Sequence, residues 1–282
     1  MNLQSIPNLA AEYWHAFTRG KPPLDADQVI PRARLRVERV PIGAQHLELF
    51  RDFVGSCESF PLCFAYVLAQ PAHLHLINQP KFPVRCIGLV HAQNRIVRVS
   101  PVDPDQAFTL EIAVVGDQMR RRGREFTIDT EFRQGGNLCL TMRSGYLSRV
   151  RGGNLKPKSA VPKAPAQPRA LGQALESIPF AGNFGRRYAR VSGDYNPIHL
   201  GALLARPFGF KRAIAHGIGA LARIDAAIGR HQGGATRALG VVFKRPVDLP
   251  SSPSLYQSPD LDSYLLLDQN SRELQLVERI AG

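Results

Sequence analysis

Near the middle of the chain, Arg151 to Ala170 reads Arg-Gly-Gly-Asn-Leu-Lys-Pro-Lys-Ser-Ala-Val-Pro-Lys-Ala-Pro-Ala-Gln-Pro-Arg-Ala. Four prolines in a Lys/Ala/Ser background support neither a helix nor a central strand, so an extended, solvent-exposed linker is expected over 151–172. The two flanks repeat one order of elements. In the first, Phe60 to Asn78 carries the apolar content of a buried helix, with Pro71 predicting a kink or a fresh start. Runs of β type follow at Cys86–Val90, Arg95–Val99, Phe108–Val115, Glu125–Phe132 and Cys139–Tyr146. In the second, Asn196-Pro197 opens a helical stretch through Ala205, and Ile214 to Gly229 reads as a longer apolar helix. Strands are then expected at Ala238–Lys244, Tyr264–Asp268 and Leu274–Arg279. A helix followed by an antiparallel meander, twice, implies an α+β fold built by internal duplication. The units divide as 1–150 and 173–282.

Composition fits that reading. At 282 residues the chain suits two domains that each bury a core, and 44% hydrophobic with 21% charged content is close to the globular average. Apolar runs such as Ala213–Ala222 fall well short of a membrane span, and the opening Met-Asn-Leu-Gln-Ser-Ile-Pro does not read as a secretory signal. Cys57, Cys63, Cys86 and Cys139 form no CxxC pair and have no metal-ligand spacing with histidine. Free thiols in a reducing, cytoplasmic setting are expected, with no metal. The net charge of +13 favours an anionic partner. Part of it is concentrated in Arg120-Arg121-Arg122-Gly-Arg124 and from Arg149 to Lys163. Neither zinc-finger spacing nor an RNA-binding aromatic signature accompanies it, so nucleic acid is not the expected partner.

The chemistry concentrates in Tyr188-Ala-Arg-Val-Ser192-Gly-Asp194-Tyr-Asn196-Pro197-Ile-His199. A carboxylate and an imidazole stand five residues apart across a turn. Gly193 supplies backbone freedom, Asn196 a helix cap and Pro197 a first helical residue. Asp194 and His199 facing one space could move protons near neutral pH. The same residues also fit an ordinary turn with a surface histidine. Downstream, His216-Gly217-Ile-Gly219 precedes an apolar helix. The Gly217 N–H there could meet a carbonyl oxygen that gains charge. Alternatively, Gly217 and Gly219 permit close packing; His216 itself is read as a packed core histidine.

The run from Tyr188 to Ala205, continued at His216-Gly217, resembles the R-specific enoyl-CoA hydratase family, hydratase 2 or MaoC-like dehydratases. The motif S-G-D-x-N-P-I-H with Ala205 six residues on carries the likeness, and Ala238-Leu-Gly-Val-Val-Phe-Lys-Arg-Pro-Val247 resembles a strand of the same family. The likeness spans about the last hundred residues. The first half, with Gly88-Leu-Val-His91, resembles the degenerate N-terminal unit of two-domain members and lacks the D-x-N-P-x-H set. The resemblance implies a double hot dog, each sheet wrapping a central helix. It implies Asp194 and His199 as the catalytic pair, Asn196 orienting them, and Gly217 N–H as oxyanion donor. Ser192 would support the loop on the substrate side. The basic surplus then has a use: Lys211 and Arg212, beside the expected pocket, could meet coenzyme A phosphates or an acidic acyl carrier protein, or stand as a plain solvated pair. No cofactor is implied beyond the coenzyme A or phosphopantetheine of the substrate thioester, and the chain could pair as a homodimer. The segment Pro246-Val-Asp-Leu-Pro-Ser-Ser-Pro departs from the family's glycine-containing turn, and the last strands look short. The expected reaction is reversible hydration of a trans-2-enoyl thioester. A hot dog thioesterase, or a non-catalytic acyl-thioester binder, is the alternative.

Overall fold

The computed structural model describes residues 1–18, 20–25, 27–120, 123–150, 171–172, 174–259 and 263–282. The expected linker, and Arg121 and Arg122 of the basic cluster, lie almost wholly outside them.

The first half runs β1 (Asn2–Leu3), α1 (Leu9–Thr18), β2 (Arg34–Val40), α2 (Ala44–Val54), α3 (Leu62–Asn78), β3 (Val90–Arg98), β4 (Phe108–Arg120), β5 (Gly123–Gln134) and β6 (Asn137–Ser148). The second runs β7 (Ala174–Ser177), α4 (Phe184–Ser192), α5 (Pro197–Leu200), α6 (Ala202–Ala205), α7 (Gly217–Gln232), β8 (Thr236–Phe243), β9 (Ser254–Gln257), β10 (Ser263–Leu267) and β11 (Glu273–Ala281).

All described strands join one sheet, ordered β1-β2-β4-β5-β6-β3-β8-β11-β10-β9-β7. Leaving β1 aside, each half follows one plan: its first strand lies at the outer edge and the strand after its long helix lies at the centre. The halves meet where β3 pairs antiparallel with β8, Ile96 opposite Leu239. Shared topology without shared sequence is the mark of the duplication. The alternation that predicted the strands has its physical basis in β5, where residues alternate between buried and half-buried.

The long helices occupy the concave side. Every residue of α3 except His75 and Asn78 is buried, so this helix needs no polar face and shows no amphipathic period. It packs against α7, whose buried residues include Ile218, Leu221, Ile224 and Ile228. Pro71 lies inside α3 and does not end it. Burial of the whole helix outweighs a cost of roughly 3 kcal/mol.

Two expectations are corrected. Cys86–Val90 is not a strand, because Gly88 takes φ 82° and turns the chain before β3 begins at Val90. The helix expected from Asn196 to Ala205 is two single turns, broken where Gly201 is extended at φ −179°, ψ 156°. Tyr188 to Ser192, for which no element was expected, is the end of helix α4. The edge strands β7 and β9, four residues each, escaped the pattern because so short a run carries little periodicity. In place of the family's turn, 246–251 runs beside 213–215: Ala215 N–H donates to Val247 O at 2.8 Å and Leu249 N–H to Ala213 O at 2.8 Å. All four cysteines are free thiols. No described helix is long and apolar enough to cross a membrane.

Candidate active site

The second half builds the site from three short segments tied by backbone bonds. Helix α4 stops at Gly193, whose φ of 75° only glycine adopts cheaply and whose N–H returns to Ala189 O. Ser192 Oγ donates to Tyr188 O at 2.9 Å and accepts the Asp194 N–H at 3.1 Å. Asp194 is thereby turned inward and is only 8% exposed. Its Oδ1 accepts the Asn196 N–H at 3.1 Å, an Asx turn. The Asn196 side chain in turn caps α5 by accepting the Ile198 N–H, with Pro197 next in line. His199 follows one residue later, its ring anchored through Nδ1 to Ile214 O at 2.8 Å.

The third segment brings in His216. Its Nε2 lies 2.9 Å from Asp194 O and 3.9 Å from Asp194 Oδ1. The rings of His199 and His216 stack with centroids 3.7 Å apart, and Tyr188 packs on the other side of His216 at 4.6 Å. Gly217 then opens α7.

Protonation follows from these partners. A carbonyl oxygen can only accept, so His199 carries its proton on Nδ1 and His216 on Nε2. Burial lowers the His199 pKa, against the opposing pull of Asp194 and the Ile214 carbonyl. Burial, with His199 as neighbour, takes His216 down to about 3. Both rings are therefore neutral at pH 7, and His199 Nε2 is a lone pair. Burial raises the Asp194 pKa, but the His216 and His199 rings and the side-chain hydrogen bonds from Tyr13 and Gln70 outweigh it, so the pKa is lowered and the carboxyl is ionised. A carboxylate and an unprotonated ring nitrogen, both acceptors, suit one water molecule that donates to each.

These groups line a cavity of about 1000 Å³ at the seam of the halves, with Asp194, Asn196, His199, His216 and Gly217 on its wall. The first half supplies apolar lining at Leu74, Ile77 and Leu89. It also supplies His91, whose ring stacks on Tyr66 at 4.8 Å and on Tyr146 at 5.0 Å between centroids. Gly217 sits edge-on to Phe243: a Cβ there would stand 2.9 Å from the ring.

Asp194, His199, Asn196 and Gly217 are thus gathered as expected, and two other expectations change. Ser192 is buried, holds the loop and is not part of the cavity wall. Lys211 and Arg212 are exposed and outside the lining; among the described residues the cations that line it are Arg149, just past β6, and Lys244 and Arg245, just past β8. His216 is packed and hydrogen-bonded as expected, and it also lines the cavity. Two further residues come from the first half: Tyr13 OH donates to Asp194 Oδ1 at 2.6 Å and Gln70 Nε2 to Asp194 Oδ2 at 2.7 Å. A glutamine in the apolar run 62–72 was the available signal for Gln70, since buried amides require partners. Tyr13 carried none.

Residues 172–252 match the family described as "MaoC like domain". The chain is 28% identical over 233 residues to the 3-hydroxyacyl-thioester dehydratase X of Mycobacterium tuberculosis, covering 80% of each. Its fold is shared with HtdX of M. tuberculosis, at a TM-score of 0.73, 23% identity, and 89% and 100% coverage of the two chains. A second M. tuberculosis protein, described as having a double hotdog fold, superposes with a TM-score of 0.58 at 12% identity, over 93% and 98% of the chains. The two halves of this protein share one strand order around a central helix each, a double hot dog layout, and the second carries the match to the MaoC-like domain.

Proposed function

We propose that the protein catalyses the reversible hydration of trans-2-enoyl thioesters to (R)-3-hydroxyacyl thioesters, a hydro-lyase reaction. The observation that carries this reading is the ionised Asp194 carboxylate and the neutral His199 ring on one cavity wall beside Gly217 N–H. The M. tuberculosis relative named as a 3-hydroxyacyl-thioester dehydratase supports it.

A water held by Asp194 and His199 Nε2 adds through its oxygen to C3 of the enoyl group as one O–H bond breaks. That proton passes to the acceptor it faces. The C2=C3 electron pair moves into the thioester, placing negative charge on the carbonyl oxygen, where Gly217 N–H donates to it. C2 then takes the proton back, the enolate returns its electrons, and H and OH have been added across the double bond. Dehydration is the reverse. Asp194, His199 and the main chain suffice for each step, with coenzyme A or phosphopantetheine entering only as part of the substrate.

Arg149, Lys244 and Arg245 give the cavity a cationic lining suited to the phosphates of coenzyme A or of a carrier-bound phosphopantetheine. The free thiols fit a reducing compartment such as the cytoplasm.

The test is loss of enoyl absorbance with crotonyl- and longer enoyl-CoA. Wild type should turn over. Asp194→Asn and His199→Ala should each lose activity by about 10³-fold or more with unchanged circular dichroism. Turnover that releases free thiol instead of hydroxyacyl thioester would replace this reading with a thioesterase.

A further inference from the structure

The first half lacks the Asp/Asn/His set, yet both oxygens of the Asp194 carboxylate are held from that half. Tyr13 on α1 donates to Oδ1 at 2.6 Å, and Gln70 on α3 donates to Oδ2 at 2.7 Å. The Gln70 amide is oriented by its partners: Nε2 faces Asp194 and, at 3.4 Å, Tyr13 OH, while Oε1 is buried without a partner. An amide tolerates a buried oxygen without a partner where its N–H groups are strongly engaged.

The helix carrying Tyr13 is itself fastened to the helix carrying Gln70. Glu12 is buried and binds His75 Nδ1 at 2.7 Å and Asn78 Nδ2 at 2.8 Å, both on α3. Tyr13, the next residue, is thereby aimed across the seam. Besides these two donors, the polar and titratable groups around Asp194 among the described residues include the Asn196 N–H, His199, His216, Tyr188 on α4, Tyr66 on α3 and Tyr146 on β6.

We infer that Tyr13 and Gln70 are positioning residues: the degenerate half acts in the reaction by fixing the plane of the Asp194 carboxylate and keeping it ionised toward the water. This rests on the hydratase reading for its kinetic consequence, but not for its electrostatic one. Charge-assisted donors stabilise the anion over the acid, so removing either one makes Asp194 a stronger base in a looser orientation.

The test compares wild type with Tyr13→Phe and Gln70→Met. Two quantities are followed: the pH titration of the Asp194 carboxyl by carbon-13 NMR, and the pH profile of enoyl-CoA hydration. Each variant should raise the carboxyl pKa by about one unit or more and move the acid limb of kcat/KM upward by the same amount. Each should lower kcat at least tenfold while KM changes less than about threefold. A residue that merely packs would lower the unfolding temperature and leave the limb in place. An unmoved carboxyl titration in both folded variants overturns the inference. A moved titration in a wild-type protein that hydrates no thioester upholds the positioning role and sinks the hydratase reading instead.

Discussion

Gly185 lies against the backbone of His199, so close that a Cβ at 185 would overlap the His199 carbonyl oxygen. The contact lets α4 and α5 pack at the separation that places His199 opposite Asp194. Of the glycines near the site, this one sets a catalytic distance without belonging to the motif.

Gly185→Ala should therefore displace α5 and cut turnover by about 10- to 100-fold, as misplacement of a catalytic group by about 1 Å does. The fold should persist, because α5 is a four-residue turn at the seam rather than core. Wild-type kcat in a folded Gly185→Ala protein would show that the contact does not set the geometry.

Gly217→Ala meets a different obstacle, the Phe243 ring 2.9 Å from the added Cβ. The start of α7 should shift and pull the oxyanion donor from its place, costing roughly 10²-fold in kcat. Pairing it with Phe243→Ala should recover part of that loss. A double variant as slow as Gly217→Ala alone would mean the ring is not the cause.

Acid should destabilise the protein below about pH 6.5, the unfolded pKa of histidine. Burial takes His73, His91 and His216 each down to about 3, so the unfolded chain binds three protons that the native state refuses. Stability is then fully present above pH 6.5 and falls toward pH 3, by about 1.4 kcal/mol per pH unit for each imidazole. Asp225, pushed up to about 6 by burial, works in the opposite sense between about pH 6 and its ordinary value of 3.8. Comparing His73→Gln with wild type isolates one imidazole: its unfolding midpoint in denaturant should fall less between pH 6.5 and 4.5. Identical slopes would contradict the assignment.

Substrate affinity should depend on Lys244 and Arg245 rather than on Lys211 and Arg212. Lys244→Ala with Arg245→Ala should raise KM for enoyl-CoA several-fold at low salt, and the difference should shrink as salt screens it. Lys211→Ala with Arg212→Ala should stay within about twofold of wild type. The reverse pattern in steady-state kinetics would return the phosphate-binding role to the exposed pair.

Much of this was legible in the chain. The repeated helix-then-strands order predicted both halves of the sheet, because half-buried strands must alternate and α3, buried on nearly every side, must be mostly apolar. The backbone turn through Asp194, Asn196, Pro197 and His199 was legible because the bonds that shape it are local, an Asx turn, a cap and a proline at the first helical position, whereas the side chains of Asp194 and His199 are oriented by distant residues. His216 is the packed, hydrogen-bonded histidine that the sequence suggested, and only the tertiary structure shows that it also stacks on His199 at the cavity wall. Lys211 and Arg212 were adjacent in sequence to the site but turned outward, while Lys244 and Arg245 reached it from the end of β8.

Local chemistry by itself decided the catalytic turn, the two helix-and-meander units and the absence of a matching motif in the first half. Tertiary structure alone decided which half restrains which. Tyr13 and Asp194 are 181 residues apart, and Gln70 and Asp194 are 124 apart. No pattern in the chain encodes such distances, because they depend on β3 and β8 pairing edge to edge and bringing α3 and α7 into contact.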